Sequence, residues 1–516
     1  MKKTVTFAVV ICAVLLFLGA GIGSAGIGTN WVDPVGRIQA QDEAVYAATS
    51  QSMAAGGDWL TPYFLGRYAF YKPPFLYWMS AAGIRAFGPS NTALRLPSWV
   101  AGVVTVTVVF AWVWRSAPLT SAVASALLLV SSHLFFVISR VALTDALLVC
   151  QFTVAMFAVQ RDPRLERRGS LLIFGVACGA AILTKAAAGL MPLLVVAAFW
   201  LASRERPDLR RLLQLAALVV FIALPWHAFQ LWTHPRWFWA EYVLQEHLSW
   251  GLSPAGQTSA ESPVGFYMGR LFQIDPVLPI LGTGALFLLR SRLLGVWLAV
   301  VLAAIFAFQY RNVAYLLPLL PALAILTGLA VPARWSRHFL AVAVALACIK
   351  ATAERQPWGL PFQPENVNPS HAALDRCAEL GRGSSLIVLD TDDQFYATLV
   401  GLPAVRYAYM GESSRRSAPL DFAHLGVELT VAEFNVMPEM LVVYGERLRQ
   451  FGLASSRPVG STIWVRDPVE LSSLFSSNTE LDFYVPAEWE SLARTTHVSM
   501  PGPVGRVFLL ALPPPQ

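Results

Sequence analysis

Pro74–Gly88, "PFLYWMSAAGIRAFG", is an apolar stretch of about fifteen residues opening on the double proline Pro73-Pro74. A helix needs about 20 apolar residues to cross a bilayer. Whether this stretch crosses decides the topology of everything after it. The chain is 56% hydrophobic, only 14% charged, and has a mean hydropathy of +0.54. Soluble domains carry about 25% charge, so the composition specifies a polytopic α-helical membrane protein. The alternating signal of an outer-membrane barrel is missing. The formal charge of +6 is spread over short loops, which reads as a topology signal and excludes a nucleic-acid patch.

Apolar runs near 4–24, 94–114, 119–138, 144–160, 169–184, 186–203, 211–231, 266–289, 293–309, 313–331 and 336–350 give about eleven crossings, within a range of 11–13. Arginines mark the loops at Arg115, at Arg161, Arg164, Arg167 and Arg168, at Arg204, Arg206, Arg210 and Arg211, at Arg290 and Arg292, and at Arg334 and Arg337. With an inside N-terminus and Pro74–Gly88 excluded, all of them fall on the cytoplasmic face, as the positive-inside rule demands. Counting Pro74–Gly88 as a span would throw the two strongest basic loops outside. It is therefore expected to be a juxtamembrane or re-entrant helix on the outer face. Met1-Lys2-Lys3 and the apolar run to about Gly21 read as a retained first helix rather than a signal peptide. Cys12, Cys150, Cys178 and Cys348 lie in apolar runs and Cys377 stands apart, so no disulfide framework is legible.

Two domains follow from this pattern. Residues 1–350 form the membrane domain, and its outer loop 25–93 is rich in unusual polar residues. Residues 351–516 carry more Ser, Pro and charge, with strand-like runs such as Leu386-Ile387-Val388, and read as a soluble outer α/β domain.

The outer face collects the candidate chemistry. Gln41-Asp42-Glu43 opens a helical pattern, so Asp42 and Glu43 suit either a helix N-terminus or a general base. An acid at a helix mouth is costly unless paired, and Arg140 is the expected partner of Asp145. The chain has just five lysines, and Lys72 and Lys185 both fall on the outer face, against the charge rule. Each suits a phosphate, although Lys185 alone would read as snorkelling to headgroups. Glu246 and His247 are adjacent in an aromatic loop, about 232–264. Arg311 and Tyr315, four apart, are expected on one helical face, as an anion site or an interfacial anchor.

Taken in order, Asp42-Glu43-x-x-Tyr46, Gly57-Asp58-Trp59-x-Thr61-Pro62, Lys72-Pro73-Pro74-x-x-Tyr77-Trp78, Arg95-Leu96-Pro97, Leu143-Thr144-Asp145, Leu183-Thr184-Lys185, Glu246-His247 and Tyr315-x-x-Pro318 resemble the bacterial membrane glycosyltransferases of GT-C fold. These include the lipid A aminoarabinose transferases and the protein O-mannosyltransferases. The resemblance spans roughly residues 30–330.

It implies an inverting transferase that takes a sugar from an undecaprenyl-phosphate carrier, works from the bacterial inner membrane, and has its site and tail on the periplasmic side. A lipid A-like glycolipid is the favoured acceptor and a protein hydroxyl the alternative. Carried over, Asp42, Glu43 and Asp145 are the catalytic acids. Lys72 and Tyr315, with Lys185 and Arg311, bind the donor phosphate. Tyr46, Tyr71, Arg140, Glu246 and His247 line the cavity. In the aminoarabinose transferases a glutamate precedes the first-loop lysine and can share a metal with the later histidine. Tyr71 stands there instead, leaving His247 as the one remaining metal-ligand position, and a divalent cation is the only cofactor the resemblance raises. Val45 and Trp250 also stand where arginines are expected. The reading from another class is a lipid-linked sugar transporter or flippase. The nearly charge-free spans and the clustering of ionisable residues at one face favour surface chemistry over it.

Overall fold

The computed structural model describes residues 41–64, 67–203, 205–249, 262–308 and 310–353, together with Val14, Gly19 and short strands between 386 and 510. The first expected span, near 4–24, lies otherwise outside the described residues.

The outer loop folds into a helix α1 (Gln41–Ala54), a small antiparallel hairpin of β1 (Tyr63–Phe64) and β2 (Arg67–Tyr68), and α2 (Phe75–Phe87). The deciding stretch is thus a helix of 13 residues, about 20 Å long at 1.5 Å per residue. Pro74 starts it, because a proline loses no needed N–H at a helix N-terminus. Leu76, Tyr77, Ser80, Ala81, Gly83 and Ile84 are buried, and the helix packs on α1 and on α3 (Asn91–Trp114). Ser90 caps α3 by accepting the Ala93 N–H at 3.1 Å.

The bundle continues with α4 (Leu119–Val130), α5 (His133–Ile138), α6 (Thr144–Arg161), α7 (Arg168–Lys185), α8 (Met191–Ala202) and α9 (Leu209–Thr233). After α9 come α10 (Pro235–Phe238) and a π-helix (Trp239–Ser249). The last group is α11 (Pro263–Ile274), α12 (Val277–Leu289), α13 (Arg292–Ala307), a 3-10 helix (Val313–Leu319), α14 (Leu320–Ala330) and α15 (Ser336–Ala353). The core lies between α3, α6, α13 and α14. Trp297, fully buried, stacks on Phe152 with ring centroids 4.9 Å apart.

The expected set of unbroken crossings is corrected in several places. Among the described residues, four helical runs are long and apolar enough to cross alone: 91–114, 168–202, 209–233 and 313–330. The expected span 266–289 is a pair, α11 and α12, bent by 110° at Asp275-Pro276. The expected span 119–138 breaks at Ser131-Ser132 into α4 and α5.

The run 168–202 is two antiparallel helices rather than one crossing. Ala186 has a positive φ of 43°, and Gly189 lies so close to the backbone of Ala181 that a Cβ would sit 2.2 Å from its carbonyl oxygen. The far ends also meet. Trp200 Nε1 donates to the Pro163 carbonyl at 2.8 Å, and Arg164 Nε pairs with Glu205 at 2.9 Å. The two strongest basic loops therefore share one end of the bundle, and Lys185 lies at the other.

In the tail, β3 (Leu386–Val388), β7 (Asp482–Pro486) and β8 (Val507–Leu510) form one sheet with parallel pairing. A second sheet runs β4 (Arg406–Tyr409), β6 (Thr462–Val465), β5 (Pro458–Val459), with β4 parallel and β5 antiparallel to β6. Parallel pairs require crossover connections; the helices expected of an α/β domain lie outside the described residues.

Candidate active site

At the Lys185 end of the bundle, separate elements bring charged side chains into one another's field. Lys72 follows the β-hairpin and precedes α2. Its Nζ pairs with Glu246 Oε2 at 2.6 Å and donates to the Tyr71 carbonyl at 3.0 Å. Lys185, the last residue of α7, pairs with Asp145 Oδ1 at 2.6 Å and sits 4.9 Å above the Tyr315 ring.

Asp42 lies in the first turn of α1 within the field of both pairs. It keeps accessible surface although protein surrounds it on most sides. Burial raises the pKa of its carboxyl, Lys72 opposes the rise, and Glu246 adds to it. Burial pulls the Lys72 pKa down, but Glu246 and Asp42 outweigh it and the net direction is up. Lys72 is therefore a fixed cation.

Glu43, the neighbour of Asp42, does something different. It is 2% exposed and takes Arg95 in a two-pronged pair, 2.7 Å from Nε and 2.8 Å from Nη2. Its Oε1 also accepts the Ala142 N–H at 2.8 Å. One carboxylate thus fastens α1 to α3 and to the turn that presents Asp145.

The lysine loop is fastened similarly. Glu241 Oε2 accepts the Phe70 N–H at 2.8 Å and the Trp237 Nε1–H at 3.2 Å. Glu241 and Glu246 are five apart, and the i→i+5 bonding of a π-helix places such residues one turn above each other. Both consequently face the 70–72 loop, Glu241 on its backbone and Glu246 on its lysine. In an α-helix they would point apart, which is why the sequence assigned Glu241 no role.

Other expected residues fall as follows. Tyr46 is buried beside Tyr77, ring centroids 5.6 Å apart, and its pKa is raised well above the usual value by burial, then by Asp42. Tyr71 contributes its carbonyl to Lys72. Arg140 is not the ionic partner of Asp145, since Lys185 occupies that place. Arg140 is buried, with its guanidinium 4.5 Å from the Phe136 ring centroid, and burial, then the nearby Arg95, lowers its pKa. Arg311 and Tyr315 do not share a helical face. Asn312 caps the 3-10 helix through Ala314, so Arg311 lies before it, in the field of Tyr267, while Tyr315 turns to Lys185. His247 Nδ1 meets the Tyr242 carbonyl, and burial lowers its pKa. No group of three His, Cys, Asp or Glu residues arranged to hold a metal occurs among the described residues.

Beside this cluster runs an apolar groove of about 770 Å³ between α2, α3, α6 and α7. Phe75 and Met79, just past Lys72, line one wall, and Leu147 and Val154 of the Asp145 helix line another. Gln151 is its polar exception, donating to Thr184 Oγ1 at 2.9 Å.

Comparison with known proteins bears on the chain as a whole. The family model for dolichyl-phosphate-mannose-protein mannosyltransferases matches residues 71–229. An undecaprenyl phosphate-alpha-4-amino-4-deoxy-L-arabinose arabinosyl transferase of Pseudomonas aeruginosa (strain UCBPP-PA14) is 31% identical over 64% of this chain and 60% of its own length. The corresponding protein of Edwardsiella ictaluri (strain 93-146) is 31% identical over 39% of each chain. Among solved structures, ArnT from Cupriavidus metallidurans in the apo state aligns with a TM-score of 0.62 at 19% identity, over 92% of this chain and 91% of that one. The same protein bound to undecaprenyl phosphate aligns at 0.61 and 20% identity, over 82% and 87%. The chain is similar in sequence to the aminoarabinose transferases and, over 71–229, to the protein mannosyltransferases, and in fold to ArnT. The aligned segment spans between 39% and 60% of these two curated relatives. The resemblance read from the ordered motifs holds, and the helical membrane fold it implied holds with it.

Proposed function

We propose that the chain is an inverting glycosyltransferase that moves a sugar from an undecaprenyl-phosphate carrier to an outer-leaflet acceptor, with a lipid A-like glycolipid favoured. The observation that carries this reading is the meeting of Asp42 with the Lys72–Glu246 and Lys185–Asp145 pairs at one end of the bundle, beside an apolar groove. An amphiphilic donor needs such a place: cations for its phosphate and an apolar lane for its prenyl chain. The basic loops lie at the opposite end, and with the positive-inside rule this supports a site on the periplasmic face.

In the proposed reaction, an acceptor oxygen attacks the anomeric carbon from the face opposite the phosphate. The new C–O bond forms as the bond to the phosphate oxygen breaks, inverting the centre, and polyprenyl phosphate departs with the bonding pair. Asp42 takes the acceptor proton where the acceptor is a hydroxyl. Its raised pKa strengthens it as a base while leaving it ionised above that value. Lys72 meets the charge that grows on the departing phosphate, worth most in a site sheltered from water. Lys185, over the Tyr315 ring, supplies the second cation, and Asp145 holds Lys185 in place. Glu43 supports Asp42 by fixing the first turn of α1.

The test is reconstitution. The full chain in nanodiscs is given undecaprenyl-phosphate-linked aminoarabinose with either lipid A or a serine-rich peptide. Sugar on lipid A, lost in Lys72→Ala, supports the reading. Sugar on the peptide alone moves the acceptor to protein. Loss of donor from the leaflet without any glycosylated product favours a flippase.

A further inference from the structure

Among the described residues, the charges acting on Asp42 are those of Lys72, Glu246, Lys185 and Asp145, so with Asp42 ionised three carboxylates meet two lysines. A phosphate entering this site adds at least one more negative charge. Like charges packed together cost free energy in a sheltered site, so one carboxylate must give way. Asp145 is locked to Lys185 in the first turn of α6, with side chains 12% and 13% exposed. Asp42 makes no direct ion pair among the described residues, so moving it would release no lysine. Glu246 alone sits on Lys72, and it does so from the last turns of the π-helix, an uncommon conformation that recurs at functional sites. Its turn-mate Glu241 is the one tied to backbone and buried at 2%.

We propose that Glu246 is a positioning residue that occupies the phosphate seat on Lys72 in the empty protein and is displaced when a lipid phosphate arrives. The carboxylate keeps Lys72 extended and paired while the site waits, at the expense of donor affinity. This inference rests on the reading of Lys72 as the phosphate ligand. It gives Glu246 a role that the sequence, which placed it only as cavity lining, does not.

The experiment measures binding of sugar-free undecaprenyl phosphate, with undecaprenol as the uncharged control, to the full chain in nanodiscs by tryptophan fluorescence. Glu246→Gln keeps the shape and removes the charge. It is expected to tighten undecaprenyl phosphate by about tenfold, the loss of one charge-assisted contact, with undecaprenol unmoved. In turnover the donor KM should fall without a rise in kcat, a split that loss of structure would not produce. Glu246→Asp, whose shorter arm reaches Lys72 less well, should fall between and serves if the Gln variant does not fold. Unchanged or weaker phosphate binding in these variants, with Lys72→Ala binding impaired, overturns the displacement while leaving Lys72 in its role. Lys72→Ala binding as tightly as the native chain overturns the role of Lys72 itself.

Discussion

Replacing Glu43 by alanine tests whether this carboxylate fastens the site or does its chemistry. The substitution removes three accepted bonds, from Arg95 Nε, Arg95 Nη2 and the Ala142 N–H. It deprives a guanidinium that is 1% exposed of this carboxylate. Removing one partner of a buried ion pair costs up to about 3–5 kcal/mol. At below about 2–4 °C per kcal/mol, the range for smaller domains, the melting temperature should fall by several degrees. Thermal unfolding of the full chain in detergent, followed by intrinsic fluorescence, measures it. The double variant Glu43→Met/Arg95→Met removes both charges and should recover about 2 kcal/mol or more relative to the sum of the single changes, as expected for contacting partners. Glu43→Ala melting within about a degree of the native chain, with turnover abolished, would refute the structural assignment and return Glu43 to the reaction.

Asp42→Asn should lower turnover by about 10²–10⁴-fold, the usual worth of a positioned base, while leaving lipid phosphate binding in place. Because burial raises the Asp42 pKa, the native activity should fall as pH drops through a midpoint above the ordinary carboxylate value of about 4. For the same reason the ionised form strains the fold above that midpoint, so Asp42→Asn should melt no lower than the native chain at neutral pH. Lys185→Met leaves Asp145 without its ammonium partner and should weaken both stability and donor turnover. Combining it with Asp145→Asn should restore stability but not turnover, which a double-mutant cycle reads directly. Gly189→Ala places a methyl 2.2 Å from the Ala181 carbonyl oxygen, backbone that cannot swing aside. It should cost about 1–3 kcal/mol as an overpacked contact, visible as a lower melting temperature and reduced yield of inserted protein.

Much of this was legible in the sequence because bilayer thickness and charge asymmetry are blunt constraints. A helix of 13 residues after two prolines is too short to cross readily, and α2 has that length. The ordered motifs also gathered residues that meet as the Lys72–Glu246 and Lys185–Asp145 pairs. What escaped was whatever depends on a local departure from the α-helix. The bend at Asp275-Pro276 and the break at Ser131-Ser132 are invisible to a hydropathy run that continues through them. The separation of Arg311 from Tyr315 follows from a 3-10 turn, which spacing by four cannot anticipate. Glu241 and Glu246 converge only in a π-helix. Arg140 was assigned to Asp145 by nearness in sequence. Lys185, forty residues away, wins because the hairpin of α7 and α8 delivers it to the same end as the start of α6.

The most direct measurement of the central claim is mass spectrometry of lipid A and of periplasmic glycoproteins from cells carrying the native chain or Asp42→Asn, with equal amounts of inserted protein. The account predicts a sugar on lipid A in the first strain and its loss in the second. Identical lipid A and glycoprotein profiles in the two strains would contradict it.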